Sequence, residues 1–214
     1  NIDAVTRGAQ GNLDRHIRNM AGFGMPVIVS INRFTADTDG ELDALAAQAR
    51  ASGAHAVTMT EVHAKGGAGG EELARAVVSA IQDHVAAGRP FTPLFNKDAP
   101  VMDKVNGIAK RIYKAEGVEV ETKAVKQLAA IESWGYGHLP VCMAKTQYSF
   151  SHDAGQLGAP VGFTIPVREF RLNAGAGFIV AVLGNMMTMP GLPKRPAAAD
   201  MDMDENGQLT GVFG

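Results

Sequence analysis

Apolar residues recur at helical and strand spacings through the first half of the chain, which predicts alternating helices and strands. Leu13, Ile17 and Met20 lie on one face of a helix predicted over residues 9–21. Residues 27–31 then form a run of mostly apolar, β-branched side chains. Such a run is typical of a strand buried on both faces, as the strands of parallel sheets are.

The next segment repeats this order of strand and helix. Thr38 and Glu41 have the spacing of a capping box, which marks the start of a helix, and Gly53 marks its end. Residues 54–59 are predicted to form the second strand. A further helix is predicted to open at Gly66–Gly70, to bury Leu73, Val77 and Ile81, and to end at Gly88. This order predicts a parallel sheet with right-handed crossovers, and hence an α/β fold.

The second half predicts a smaller α/β or α+β unit. A proline-containing connection over residues 89–100 separates it from the first half. The predicted elements are helices near 101–114 and 122–133, with Thr122 as N-cap, and strands near 140–144, 162–167 and 177–183. A C-terminal hairpin is predicted to turn at Asn206-Gly207, since this dipeptide favours tight two-residue turns.

Composition and charge exclude several classes of function. A net charge of −2 lacks the excess of Lys and Arg that a nucleic-acid-binding surface needs. No run approaches the roughly 20 apolar residues of a membrane span. Cys142 is the only cysteine, so no internal disulfide forms, and its strand-like surroundings predict a buried, unreactive thiol. These features predict a cytoplasmic protein.

Polar and aromatic residues stand where the predicted strands end. Asn32 and Phe34 follow the first strand, at the edge where open α/β sheets bind ligands, although a Phe in this position also serves as a core plug. Lys65 and the Gly66–Gly70 run favour either a flexible helix start or an anion site. The histidines follow no metal-ligand spacing, and no Gly-x-x-x-x-Gly-Lys-[Ser/Thr] word occurs. The residues alone therefore predict neither a metal site nor a P-loop.

Seven short sequence words occur in a fixed order along the whole chain. They are Asn12-Leu13 with His16-Ile17, Pro26 to Phe34, Glu61 to Gly67, Leu139 to Ser149, Gly162 to Ile165, Arg168 to Phe178, and Met189-Pro190-Gly191-Leu192-Pro193. Any one of them arises by chance, but seven in order are specific. Together they resemble the C-terminal part of formate–tetrahydrofolate ligase, also called formyltetrahydrofolate synthetase.

The resemblance implies a fold, a reaction and an assembly. The fold is a Rossmann-like parallel-sheet unit followed by a smaller α/β unit, both within a larger P-loop NTPase-like ligase. Residues 1–14 would be a remnant of an N-terminal nucleotide domain, 15–107 a folate-side domain and 108–214 a smaller C-terminal domain. The reaction joins formate to tetrahydrofolate through formyl phosphate, using ATP and Mg²⁺, to give 10-formyltetrahydrofolate. The family also implies a cytoplasmic homotetramer that is activated by a monovalent cation.

The resemblance also implies roles for single residues. Phe34 and His63 would flank the folate ring system, and His63 stands where the family commonly has Trp. The smaller imidazole predicts weaker stacking than an indole. The residues implied to face the nucleotide or another anion are Asn32, Lys65, Gly66, Gly67, Gly191, Leu192 and Pro193. No catalytic residue and no metal ligand is implied in this chain.

Two hypotheses from different classes fit the sequence. In the first, the chain begins at Asn1 inside a longer ligase and is inactive alone because the P-loop lies elsewhere. Apolar surface is then expected near residues 1–10 and 170–190, where a missing domain would pack. In the second, the chain is a stand-alone α/β binding or interaction module without chemistry. The sequence upstream of Asn1 would separate them.

Overall fold

Helices and strands alternate as predicted in a computed structural model that describes residues 1–184 and 194–211. The helices are α1 (Ile2–Gly8), α2 (Asp14–Ala21), α3 (Asp39–Ala51), α4 (Val62–Lys65), α5 (Glu71–Ala86), α6 (Val101–Ile108) and α7 (Thr122–Ser133). The strands are β1 (Ile28–Asn32), β2 (Ala56–Thr60), β3 (Gly117–Val120), β4 (Val141–Ala144), β5 (Thr164–Asn173), β6 (Phe178–Leu183), β7 (Asp202–Met203) and β8 (Leu209–Thr210). Single π-helical turns at Ala9–Leu13 and Ala109–Tyr113 join α1 to α2 and extend α6.

The first unit is built on β1 and β2, which pair in parallel from Ile28 opposite Ala56 to Asn32 opposite Thr60. This pairing confirms the predicted parallel sheet. Helix α3 connects the two strands, and its Leu42 packs with Ile31 of β1 in a small apolar core. Helix α5 follows β2 and also packs against the sheet.

The buried face of α5 differs from the predicted one. Leu73, Val77 and Ile81 were expected inside. Leu73 is partly buried, but Val77 and Ile81 are 38% and 56% exposed, whereas Ala80 is 2% exposed. The helix carries apolar residues on both faces, so its periodicity does not distinguish them. The small alanine lets the helix approach the sheet closely, and the larger side chains lie outside. We call the exposed row the α5 stripe; it comprises Val77, Val78, Ile81 and Val85.

The second unit is a mixed sheet with the strand order β3-β5-β6-β4. Strands β5 and β6 are antiparallel, while β3 pairs with β5 and β4 with β6 in parallel. Strand β3 was not predicted, and β5 continues to Asn173 rather than ending near residue 167. The fully buried core of this unit includes Val101 and Val105 of α6, together with Ile165 and Ile179 of the sheet. Helix α6 thus packs with the second unit.

Cys142 is exposed, so the prediction of a buried thiol is wrong. It lies on β4, at the edge of the sheet, where alternate side chains point to opposite faces. Its neighbours Val141 and Met143 pack against the core and leave Cys142 on the outer face. Thr122 is also displaced by one position from its predicted role, because the N-cap of α7 is Glu121.

Exposed apolar surface was expected near residues 1–10 and 170–190. Ile2 is half exposed, as expected for residues 1–10. Over residues 170–184, the described part of the second range, no large apolar side chain is exposed, and residues 185–190 lie outside the described residues. The predicted hairpin is confirmed, since β7 and β8 pair in antiparallel fashion around Asn206-Gly207. No helix in the described ranges is long and apolar enough to cross a membrane.

Side chains of α2 connect the two units. The Arg15 guanidinium donates to the carbonyl oxygens of Tyr113 and Ala159, at 3.2 and 3.4 Å. The Asn19 amide donates to the Ile112 carbonyl oxygen at 2.9 Å. All three acceptors are main-chain oxygens of the second unit. The division into residues 1–14, 15–107 and 108–214 stays a prediction.

Candidate functional site

The carboxyl edge of the β1–β2 sheet collects most of the described residues that the sequence singled out. Because the strands are parallel and Asn32 lies opposite Thr60, the segments that follow them emerge at the same edge. Phe34 follows β1, and His63 follows β2 in the short helix α4. The Phe34 side chain is 60% exposed, so it is not a core plug.

The backbone around Phe34 is held by hydrogen bonds on both sides. The Arg33 N–H donates to the Thr60 carbonyl oxygen at 2.9 Å, which extends the β1–β2 ladder past its last strand pair. The Phe34 N–H donates to Oδ2 of Asp37 at 2.8 Å. The Arg33 guanidinium donates to the Asp39 carboxylate at 2.6 Å. The loop therefore presents an aromatic ring to solvent on a fixed backbone.

An open groove of about 310 Å³ runs beside Phe34. Its walls come from α1, the end of β1, the loop that follows and α3. The lining residues are Val5, Ile31, Asn32, Phe34, Asp37, Glu41, Leu42 and Leu45. His63 is not among them, so the groove lies on the α3 side of the ring. The structure places Phe34 and His63 at one sheet edge, but only Phe34 lines this groove.

Asn32 is part of a chain of polar side chains that crosses the sheet. Thr60 is 3% exposed, and its hydroxyl donates to Oδ1 of Asn32 at 2.8 Å. Ser30 lies on the other side of Thr60, with the two hydroxyl oxygens 3.1 Å apart. Sequence reasoning identified Asn32 but missed Thr60, since only the strand register shows that the two residues are opposite each other.

Lys65 already has a partner at this edge. Its ammonium group donates to the Glu61 carboxylate one helical turn earlier, and both side chains are at least partly exposed. The hydrogen bond from Lys65 lowers the pKa of Glu61 below its ordinary value. An anionic ligand at this point would compete with Glu61 for Lys65. Glu61 was not among the predicted site residues, although its spacing from Lys65 is that of a helical ion pair.

The glycine run folds back on the start of α4. Gly66 has a φ of +60°, and Gly66–Gly70 form a turn of 3₁₀-helix before α5. The Glu61 N–H donates to the Gly69 carbonyl oxygen at 3.0 Å. A Cβ at position 69 would lie 2.5 Å from the Glu61 carbonyl group, so this close approach requires glycine. Gly66 and Gly67 are exposed beside it.

Three of the predicted site residues, Gly191, Leu192 and Pro193, lie outside the described residues. Within residues 1–184 and 194–211, no three His, Cys, Asp or Glu side chains are grouped as a metal site would require. The site that the structure describes is therefore the edge formed by Asn32, Phe34, His63 and the Lys65–Gly67 segment.

Comparison with known proteins gives one consistent family. The model of the family "Formate–tetrahydrofolate ligase" matches residues 1–213. The chain is 49% identical over 213 residues to a formate–tetrahydrofolate ligase of Roseobacter denitrificans and 50% identical over 210 residues to one of Paracoccus denitrificans. These alignments cover 100% and 98% of the chain but 37% of each relative, so the chain spans little more than a third of their length. The chain belongs to the formate–tetrahydrofolate ligase family.

Proposed function

We propose that this chain forms the folate-side part of an ATP-dependent ligase that makes 10-formyltetrahydrofolate from formate and tetrahydrofolate. The observation that carries the proposal is the exposed ring of Phe34, held on a fixed backbone at the carboxyl edge of a parallel sheet. An aromatic ring in this position offers a flat face to the pterin of a folate, and offset stacking of such rings is favourable. The family membership supplies the class of substrate.

The proposed reaction has two steps. A formate oxygen attacks the γ-phosphorus of ATP, which forms formyl phosphate and releases ADP. The N10 amine of tetrahydrofolate then attacks the formyl carbon, loses its proton and releases phosphate. Phosphoryl transfer of this kind depends on a phosphate-binding loop and on Mg²⁺. Since the chain contains no P-loop word, we do not expect turnover from these 214 residues alone.

In this proposal the described residues divide into two groups. Phe34 and His63 contact the folate rings, whereas Asn32, Lys65, Gly66 and Gly67 meet anionic or carbonyl oxygens. Gly191, Leu192 and Pro193 are proposed to face the nucleotide. We assign Mg²⁺ to no residue of the chain, because the family resemblance implies no metal ligand in it. The homotetramer, the cytoplasmic location and the monovalent cation are proposals from the family resemblance.

The test is a calorimetric titration of the chain with tetrahydrofolate under reducing, oxygen-free conditions. Phe34→Ala is expected to weaken binding by about tenfold, since it removes a stacking partner and its buried area. His63→Trp is expected to tighten binding about fivefold, which corresponds to roughly 1 kcal/mol of added stacking.

The matched control is Phe91→Ala. Phe91 is 58% exposed, almost as much as Phe34, but it stacks on Phe23 rather than standing at the candidate edge. Its removal is expected to leave folate affinity unchanged. Equal affinities of Phe34→Ala, His63→Trp and the unmodified chain would remove both rings from the site. An absence of tetrahydrofolate binding by the unmodified chain would refute the folate-binding role of the chain itself.

A further inference from the structure

Thr60 is the buried member of the polar chain Ser30–Thr60–Asn32, and it contacts the segment that leads from β1 to Phe34. Its carbonyl oxygen accepts from the Arg33 N–H at 2.9 Å, and its hydroxyl bonds the Asn32 side chain at 2.8 Å. The same residue therefore holds both the backbone and a side chain of the segment that leads to Phe34. This double contact makes Thr60 a candidate for more than packing.

The number of protons limits how this chain can be arranged. A hydroxyl donates one hydrogen bond, and the Thr60 hydroxyl has acceptors at 2.8 Å (Asn32 Oδ1) and 3.3 Å (Ile31 carbonyl oxygen). The shorter distance favours donation to Asn32. Ser30 must then donate to Thr60 over their 3.1 Å separation, since the Thr60 proton is already used. The chain thus has one direction, from Ser30 through Thr60 to Asn32.

The orientation of the Asn32 amide agrees with this direction, since its Oδ1 faces the Thr60 hydroxyl. An amide carries an acceptor oxygen and a donor NH₂ group, and the hydrogen-bond network decides which way each faces. With Oδ1 held by Thr60, the NH₂ group on the other arm of the amide does not face the Thr60 hydroxyl. Among the residues that the structure describes, no hydrogen bond from Nδ2 of Asn32 to the protein is found, and Asn32 is exposed at the carboxyl end of β1.

We propose that Thr60 is a positioning residue, which holds the Asn32 NH₂ group ready to donate to an acceptor oxygen of the bound substrate. The inference rests on the proposed function for the site. It adds that the protein is the donor in the contact with the substrate, and that Thr60 orients this donor. The acceptor is a carbonyl oxygen of the folate or a phosphoryl oxygen of the nucleotide. These sources share one chemistry, and separate titrations distinguish them.

The decisive variant is Asn32→Asp, which keeps the shape of the side chain. Its inner oxygen still accepts from Thr60, but its outer atom is now an oxygen instead of a donor. One of the two ligands, tetrahydrofolate or MgATP, is expected to place an acceptor oxygen at the outer atom of residue 32. Its affinity should fall by more than about tenfold in Asn32→Asp, because the donor NH₂ group is replaced by an oxygen that repels the acceptor oxygen of the ligand. Unchanged affinity for both ligands would show that the NH₂ group faces inward and would overturn the proposal.

Thr60→Ser and Thr60→Val separate positioning from packing. Serine keeps the hydroxyl, so affinity is expected within about twofold of the unmodified chain, whereas valine keeps the volume and is expected to weaken binding about three- to tenfold. In an Asn32→Ala background, Thr60→Val is expected to have no further effect on affinity. Equal affinities of the Ser and Val variants, or an undiminished effect in that background, would contradict a positioning role.

A readout without ligand distinguishes this inference from the proposed function. In ¹⁵N-labelled protein, the side-chain amide of Asn32 is expected to be ordered in the unmodified chain and in Thr60→Ser, and mobile in Thr60→Val. The same mobility in all three proteins would overturn the positioning role even if folate binds. An ordered amide in a chain that binds neither tetrahydrofolate nor MgATP would instead count against the proposed function of the site.

Discussion

Replacing Gly69 by alanine tests how the loop before α5 holds the His63 segment. The new Cβ would lie 2.5 Å from both the carbonyl carbon and the carbonyl oxygen of Glu61, and 2.8 Å from the Val62 nitrogen. Ordinary contacts of this kind begin near 3.4 Å. All three atoms belong to the backbone, so no side chain can rotate away and the two segments must separate. This separation also stretches the hydrogen bond from the Glu61 N–H to the Gly69 carbonyl oxygen.

We expect Gly69→Ala to lower the free energy of unfolding by about 1–3 kcal/mol, the usual cost of forcing extra volume into a closely packed place. The measurement is urea denaturation followed by circular dichroism. Gly67→Ala is the matched control, because a Cβ at position 67 has no atom within 4 Å and the residue belongs to the same loop. Equal stabilities of the two variants would refute the close approach. Tetrahydrofolate affinity is also expected to fall in Gly69→Ala, since that change displaces the segment that carries His63.

Three further predictions concern other parts of the chain. Lys104 is 0% exposed and donates to the carbonyl oxygens of residues 138 and 139. Lys104→Ala is expected to lower the free energy of unfolding in urea by about 3–5 kcal/mol, because it leaves a cavity and two unpaired carbonyl groups. Lys110→Ala, at an exposed lysine, should change this free energy little. The pKa of Glu61 is lowered by its hydrogen bond from Lys65, so the ion pair is fully formed above the ordinary pKa of 4.5 and is lost as the pH falls through the lowered pKa. An NMR titration of the unmodified chain should show this transition, and the transition should be absent in Glu61→Gln. Ile81→Lys on the α5 stripe should change the unfolding free energy by less than about 0.5 kcal/mol, and a larger loss would mean that the stripe is buried in solution.

The first sheet was predictable because its sequence signals agree with one another. The apolar run at residues 27–31 and the capping box at Thr38 and Glu41 are local, and the structure has the strand and helix that they predict. Strand β3 was not predictable in the same way, since Gly117–Val120 is short and contains Glu119. A pattern of four residues does not distinguish a strand from a loop. The strand is recognised only from its pairing with a neighbouring strand.

Errors in burial have a different origin. Periodicity shows which residues share a face, but it does not show what that face packs against. On α5 both the alanine face and the valine–isoleucine face are apolar, and the face with the smaller residues packs against the sheet. At Cys142 the strand assignment was right, but its place at the edge of the sheet depends on strand order, which no local pattern contains.

The candidate site was predictable as a location and not as a network. Phe34 and Asn32 follow from the rule that ligands bind at the carboxyl ends of parallel strands. His63 and its place beside Phe34 came from the family resemblance, and its contact with folate stays a prediction. The hydrogen bonds of Thr60 and Asp37 depend on strand register and turn geometry, which appear only once the chain is folded.

The junction between the two units has an uneven tolerance to mutation. Arg15 and Asn19 bind carbonyl oxygens of Ile112, Tyr113 and Ala159, and every amino acid carries such an oxygen. Side chains at the three acceptor positions can therefore diverge between relatives without removing a junction hydrogen bond. The donors have no such freedom, because a lysine in place of Arg15 cannot present two nitrogens in a planar fork. Among relatives, the amino acids at the acceptor positions of the second unit should consequently vary, whereas those at positions 15 and 19 of α2 should not.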